Sequence, residues 1–147
     1  MDRRCTLLLV EDEDVLRMLV AQFLRAEGFA VCEAADGAEG VARFTEDGPF
    51  DLLLVDLNLP HLSGVEVCRH VRAVAPEQKI LVCSAAIVEE SERALRAVGV
   101  DQMMTKPYHP DALVAHIRRE VGLSVPAPVP TSIPIRPTPM LSPMALA

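Results

Sequence analysis

Short apolar runs alternate with amphipathic stretches from the start of the chain. Residues 6–10 are almost continuously apolar, the pattern of a strand buried on both faces, and they stop at the acidic cluster Glu11, Asp12, Glu13, Asp14. Val15, Leu19 and Phe23, with Leu16, Val20 and Leu24 beside them, then recur at helical spacing, and Gly28 is placed to cap that helix. The pattern repeats. Residues 30–34 read as a second strand and 38–46 as a helix with Val41 and Phe44 inward. Residues 52–55 form a third buried strand ending at Asp56. Ser63 and Glu66 have the spacing of a capping box, opening a helix whose Val67, Val71 and Val74 are expected to face the core. A fourth strand is predicted over 79–83, ending at Ser84, and a fourth helix over 89–98, stopped by Gly99. A short fifth strand over 101–104 precedes Lys106-Pro107, and Pro110 suits the first turn of a last helix carrying Leu113, Ile117 and Val121, closed by Gly122.

Five strand–helix units within residues 6–122 imply a parallel α/β sheet with helices on both faces, because parallel neighbours need crossovers that these helices supply. The order of strands does not follow from this pattern. From Ser124 the character changes: residues 124–147 hold seven prolines and one charged residue, Arg136. Proline at that density excludes helix and central strand. Residues 1–123 are therefore one domain, and 124–147 a proline-rich tail or truncated linker expected to be disordered.

Composition narrows the core and the partners. Hydrophobic residues make up 50% of the chain but aromatics only 3%, so the core is built from Val, Leu, Ala and Ile. The formal charge of −7 argues against nucleic-acid binding, which needs clustered Lys and Arg. No apolar run is long enough to span a membrane, and the opening residues lack a secretory pattern, so a cytoplasmic setting is expected. Cys5, Cys32, Cys68 and Cys83 show no C-x-x-C pair and read as small apolar residues in a reducing compartment. The four histidines show no metal-ligand spacing either.

The chemistry lies where the predicted strands end. Strand one delivers Glu11 and Asp12, strand three Asp56, strand four Ser84 and strand five Lys106, and in a parallel sheet all these ends share one edge. Three carboxylates in one shallow pocket repel, which raises a pKa or demands a cation. Mg²⁺ suits such oxygen ligands and commonly joins carboxylates to a phosphate oxygen. Asp56 can then act as nucleophile toward phosphorus, with Lys106 opposite the transferring oxygens.

These residues, together with Leu59-Pro60, Gly64, Ser84-Ala85 and Lys106-Pro107-Tyr108, make residues 6–122 resemble the response-regulator receiver domains of two-component signalling. The resemblance implies a doubly wound, flavodoxin-like (βα)5 fold with sheet order 2-1-3-4-5. It implies that Glu11, Asp12, Asp56 and the backbone carbonyl of Asn58 hold Mg²⁺. Asp56 is then the phosphoacceptor, Ser84 bonds the phosphoryl group, Lys106 pairs with it, and the Lys106-Pro107 peptide is cis. The donor would be a sensor histidine kinase or phosphotransfer protein, docking on the apolar side chains of the first helix and the Tyr108 loop. Output would pass to a protein partner through the surface of the fourth helix, fifth strand and fifth helix. Such a protein is no conventional enzyme, but it catalyses its own Mg²⁺-dependent phosphorylation and dephosphorylation.

One position departs from the family pattern. Three residues before the lysine the family carries an aromatic switch residue, and here Met103 stands there. Asn58 and Ala86 occupy positions that tune phosphoryl lifetime in relatives. The competing reading is a receiver-fold interaction module that acts without phosphorylation, which Met103 favours and the complete acid–lysine set opposes. A haloacid-dehalogenase-type phosphatase would want a second Asp where Asn58 stands, and a flavin protein a phosphate-binding loop where the acids stand. Residues 124–147 are too short for a helix-turn-helix module, so protein contact is the expected output. His61 reads as a solvated loop residue, His109 as helix N-terminal and His116 as half-exposed.

Overall fold

A computed structural model describes residues 4–123. The strands are β1 (Thr6–Val10), β2 (Ala30–Ala34), β3 (Leu52–Val55), β4 (Ile80–Ser84) and β5 (Met103–Thr105). The helices are α1 (Asp14–Ala26), α2 (Gly37–Asp47), α3 (Gly64–Val74), α4 (Glu89–Ala97) and α5 (Pro110–Glu120). They alternate along the chain, and the five strands form one parallel sheet in the order β2-β1-β3-β4-β5. This is the doubly wound (βα)5 arrangement that the resemblance implies. The proline-rich segment 124–147 lies outside the described residues.

Alternation along each strand divides the core in two. Leu8, Val10, Leu53, Val55, Ile80 and Val82 point to one face, where they meet Phe44, Val67, Val71 and Leu95 from α2, α3 and α4. Leu7, Leu9, Leu52, Leu54, Leu81 and Cys83 point to the other, against Ala21, Leu24, Leu113 and Ile117 from α1 and α5. Strands covered on both sides need no polar positions, which is why they read as unbroken apolar runs.

Local signals set the helix ends. Asp36 accepts from the Glu39 N–H at 2.7 Å, while the Glu39 carboxylate accepts from Ala35 N–H at 2.7 Å. The capping box of α3 is present: Glu66 N–H donates to the Ser63 hydroxyl at 3.3 Å, and Ser63 N–H donates to Glu66 at 3.2 Å. Gly28 follows α1 at φ +100°, a left-handed conformation in which a Cβ is strained.

One expectation of burial fails. Val74, expected to face the core, is 73% exposed at the last position of α3, where the helix ends and Ala75 follows as its C-cap. Val15 and Leu19 are 63% and 53% exposed, because α1 packs through Ala21 and Leu24, with Val20 and Phe23 beside them. Strand limits also shift toward the carboxyl edge: Ser84 lies inside β4 and pairs with Thr105, so β5 begins at Met103 instead of residue 101. Both Lys106-Pro107 and Gly48-Pro49 are cis. Among the described residues no helix is long and apolar enough to cross a membrane.

Two stability outcomes follow. Leu81, fully buried on β4, truncated to Ala should cost about 3 kcal/mol, whereas Val74→Ala should stay within about 0.5 kcal/mol. Urea denaturation of both variants checks the contrast. His61 holds φ +70° without being glycine, with Leu62 N–H reaching back to the Pro60 carbonyl at 2.7 Å across it. His61→Gly relieves that strain but loosens the unfolded chain, leaving a net gain of about 0.5 kcal/mol readable in the same titration.

Candidate functional site

Strand register assembles the site before any side chain is considered. Val10 pairs with Val55, so Glu11 and Asp56 leave adjacent strands side by side. The Asp56 N–H donates to the Val10 carbonyl at 3.1 Å, carrying the ladder one residue further. At the other seam Ser84 pairs with Thr105, and Lys106 N–H donates to the Ser84 carbonyl at 2.9 Å. One edge of the sheet thus presents Glu11, Asp12, Asp56, Ser84 and Lys106 together.

Lys106 is the electrostatic centre. Its Nζ lies 2.5 Å from Glu11 Oε1 and 3.1 Å from Asp56 Oδ2. All three side chains are largely withdrawn from water, with 14%, 6% and 11% exposure respectively, while Asp12 is exposed. Burial pushes the Glu11 carboxyl above its ordinary range; Lys106 and the Glu13 N–H pull it down without cancelling the rise, and the Asp56 charge adds to it. Burial acts against the Lys106 ammonium, but its hydrogen bonds to Glu11 and Asp56 outweigh it, and its pKa is raised. Lys106 is therefore a fixed cation across the neutral pH range.

Glu11, Asp12 and Asp56 each offer an oxygen within 4.8 Å of the others. One ammonium among three carboxylates leaves uncompensated negative charge, and the donors are all oxygen, the set a hard divalent cation takes. Cys83 lies beneath the site, but burial pushes its thiol up to about 12, so it offers no thiolate. The donor set fits Mg²⁺.

Neighbouring groups hold these side chains. The Glu13 N–H donates to Glu11 Oε2 at 3.1 Å, and Arg17 donates to the Glu11 carbonyl at 2.9 Å while pairing with Asp14 and Glu33. Gly64 permits the loop after β3 to fold beneath Asp56: a Cβ there would lie 2.3 Å from the Asp56 carbonyl oxygen. Asn58 donates its backbone N–H to Asp56 Oδ1 at 3.1 Å and its carboxamide N–H to Ser84 Oγ at 3.2 Å.

Every residue expected at the site stands on this edge. Sequence reasoning named Asn58 for its backbone carbonyl and as a lifetime-tuning position but missed its carboxamide bond to Ser84, and it missed Arg17. The Asp14–Arg17 spacing of three was available as a helical ion-pair signal. The cross-element bonds of Asn58 and Arg17 depend on register and left no local mark. Ala85 and Ala86, next to the fully buried Ser84, are exposed and small. Met103 is half-buried and packs against the core cluster that contains Val82 and Leu95. Tyr108 is half-buried against the α1/α5 side, and burial raises its phenol pKa.

Comparison with known proteins gives the same picture. The family model for the response regulator receiver domain matches residues 7–118. The chain is 36% identical over 138 residues to the alkaline phosphatase synthesis transcriptional regulatory protein SphR of Synechococcus elongatus, covering 88% of this chain and 54% of that protein. It is 35% identical over 117 residues to the cell cycle transcriptional regulator CtrA of Caulobacter vibrioides, covering 80% and 50%. The chain spans about half the length of the curated relatives it matches. Among solved structures, the CheY-like response regulator receiver domain protein of Methanospirillum hungatei superposes with a TM-score of 0.78 at 27% identity, covering 82% of this chain and 95% of that one. A register that delivers three acids, a hydroxyl and a lysine to one sheet edge, matched over most of its length by one family, identifies this chain as a member of the response regulator receiver domain family of two-component signalling.

Proposed function

We propose that this receiver accepts a phosphoryl group on Asp56 from the phosphohistidine of a sensor kinase or phosphotransfer protein in the cytoplasm, and signals through protein contacts. The observation that carries the reading is the bridge from Lys106 to both Glu11 and Asp56 inside the carboxylate cluster. An Asp56 oxygen attacks phosphorus, the new O–P bond forms as the N–P bond breaks, and the electron pair leaves with the imidazole, which takes up a proton. Lys106 stands within reach of the acceptor carboxylate to pair with a phosphoryl oxygen, and Ser84 supplies a hydroxyl from the end of the next strand. Glu11, Asp12, Asp56 and the Asn58 carbonyl would hold Mg²⁺, which when bound neutralises charge on the transferring oxygens. Attack of water on phosphorus returns the carboxylate and inorganic phosphate. The chain thus catalyses its own turnover without being a conventional enzyme.

The surface supports a donor approaching beside the site. Val15, Met18 and Leu19 lie three and four residues apart on α1, are 63%, 49% and 53% exposed, and follow Asp12 directly in the chain. Output through the α4-β5-α5 face retains the hydroxyl half of the family switch in Ser84, while Met103 replaces the aromatic half with a flexible packed side chain. That replacement favours one second reading, an interaction module independent of phosphorylation.

Acetyl phosphate with Mg²⁺ separates the two readings. Intact mass should show one phosphoryl adduct on the native chain and none on Asp56→Asn; an unmodified native chain contradicts the proposal. Lys106→Met should slow adduct formation about a hundredfold, as loss of a charge-stabilising donor does. In metal-free buffer the same change should raise the Glu11 carboxyl pKa further, since it removes the cation that pulls it down. A ¹³C NMR titration of the Glu11 carboxyl reads that direction.

A further inference from the structure

Asp12 is the exposed member of the carboxylate cluster, so packing does not hold it. Its place is set by the short turn between β1 and α1, where Glu13 caps the helix without a side-chain bond. Arg17, at the end of the first helical turn, reaches back to that turn. Its Nη1 donates to the Glu11 carbonyl at 2.9 Å, its Nη2 donates to Asp14 Oδ1 at 2.8 Å, and its Nε lies 3.4 Å from Glu33 Oε1. Three nitrogens of one planar group thus meet the residue after β1, the first residue of α1 and the edge strand β2. The Arg17 side chain is only 17% exposed. Since the Glu11 N–H donates to the Ala34 carbonyl at 3.0 Å, both backbone groups of Glu11 are held.

We propose that Arg17 is a positioning residue: by fixing the Glu11 carbonyl it sets the plane of the Glu11–Asp12 peptide and keeps the Asp12 carboxylate within reach of a divalent cation. This rests on the reading of Glu11, Asp12 and Asp56 as a cation site. Charge works against a simpler role for Arg17. A fixed guanidinium beside an acidic cluster repels the cation that the cluster attracts, so it favours binding only through geometry. Holding the turn before the ion arrives spares the cost of ordering an exposed ligand when the ion binds. Lysine carries the same charge, but its single ammonium on a flexible stem does not span the three directions of the fork. Arg17 touches neither the cation nor phosphorus; it acts through Asp12.

Two charge-conserving substitutions in the full chain test this, Arg17→Lys and Arg25→Lys, read by Mn²⁺ affinity from the electron paramagnetic resonance of the free ion. Arg25 also ties α1 to β2, donating to Glu33 Oε2 at 3.0 Å and to the Val31 carbonyl at 2.7 Å, but these bonds do not reach Glu11. Arg17→Lys should weaken Mn²⁺ binding about tenfold, the scale on which lost outer partners of metal ligands act. Arg25→Lys should leave it unchanged. Unchanged affinity in Arg17→Lys overturns the positioning role alone. Equal weakening in both variants also overturns it, because the effect would then come from docking of α1. A native chain that binds no Mn²⁺ overturns the cation reading and the positioning role together. A measurement on the metal-free native chain needs no variant to fold: ¹⁵N NMR should find the Arg17 guanidinium slow to rotate about its Nε–Cζ bond, and that of the exposed Arg93 fast. An Arg17 group that rotates as freely as Arg93 overturns the positioning role.

Discussion

The arrangement depends on Lys106 reaching two buried carboxylates at once. Glu11 and Asp56 emerge from neighbouring strands, and neither can be withdrawn from water beside the other without a cation between them. The lysine answers part of that charge. With the exposed Asp12 adjoining, the remainder is left for a divalent ion to balance. The site is poised because its own side chains are not electrically self-sufficient. That is a physical cost, and the two apolar layers beneath it supply the rigidity that sustains it.

Those layers also explain how the acids are placed. A parallel sheet covered on both faces tolerates polar residues only where strands end, so the first polar residue after each apolar run falls at the carboxyl edge. Parallel register then decides which ends are adjacent. Val10 opposite Val55 makes neighbours of Glu11 and Asp56, and Ser84 opposite Thr105 brings Lys106 alongside. Gly64 completes the geometry by letting the loop after β3 pass close under the Asp56 backbone. Loop flexibility contributes little to the placement of the five principal residues, because each lies within two residues of a strand terminus.

Much of this was legible in the sequence, for reasons that also mark where legibility ends. Continuous apolar runs bounded by acids, Ser and Lys disclosed the strands and their ends, since burial on both faces leaves no ambiguity of period. The order of strands came through family resemblance, because crossover direction has no residue-level signature. Helix faces were harder. Val15 and Leu19 share the helical spacing of Phe23, yet Ala21 and Leu24 are the buried residues, with Val20 and Phe23 packed beside them. Periodicity finds a stripe but does not say which side of it meets the sheet. Val74 stands at the end of α3, where helical spacing continues the stripe but burial stops. The bonds of Asn58 to Ser84 and Arg17 to Glu33 join residues on separate elements, and single-sequence spacing is blind to them.

The proposed function requires the uncompensated carboxylates at this edge to hold a divalent cation opposite Lys106. Paramagnetic broadening by Mn²⁺, titrated into isotope-labelled protein and competed by Mg²⁺, tests it most directly. The expected result is saturable broadening centred on Glu11, Asp12, Asp56 and Asn58, reversed by Mg²⁺ and lost in Asp12→Ala. Broadening spread over the acidic surface without saturation, or centred on a different cluster, would contradict it.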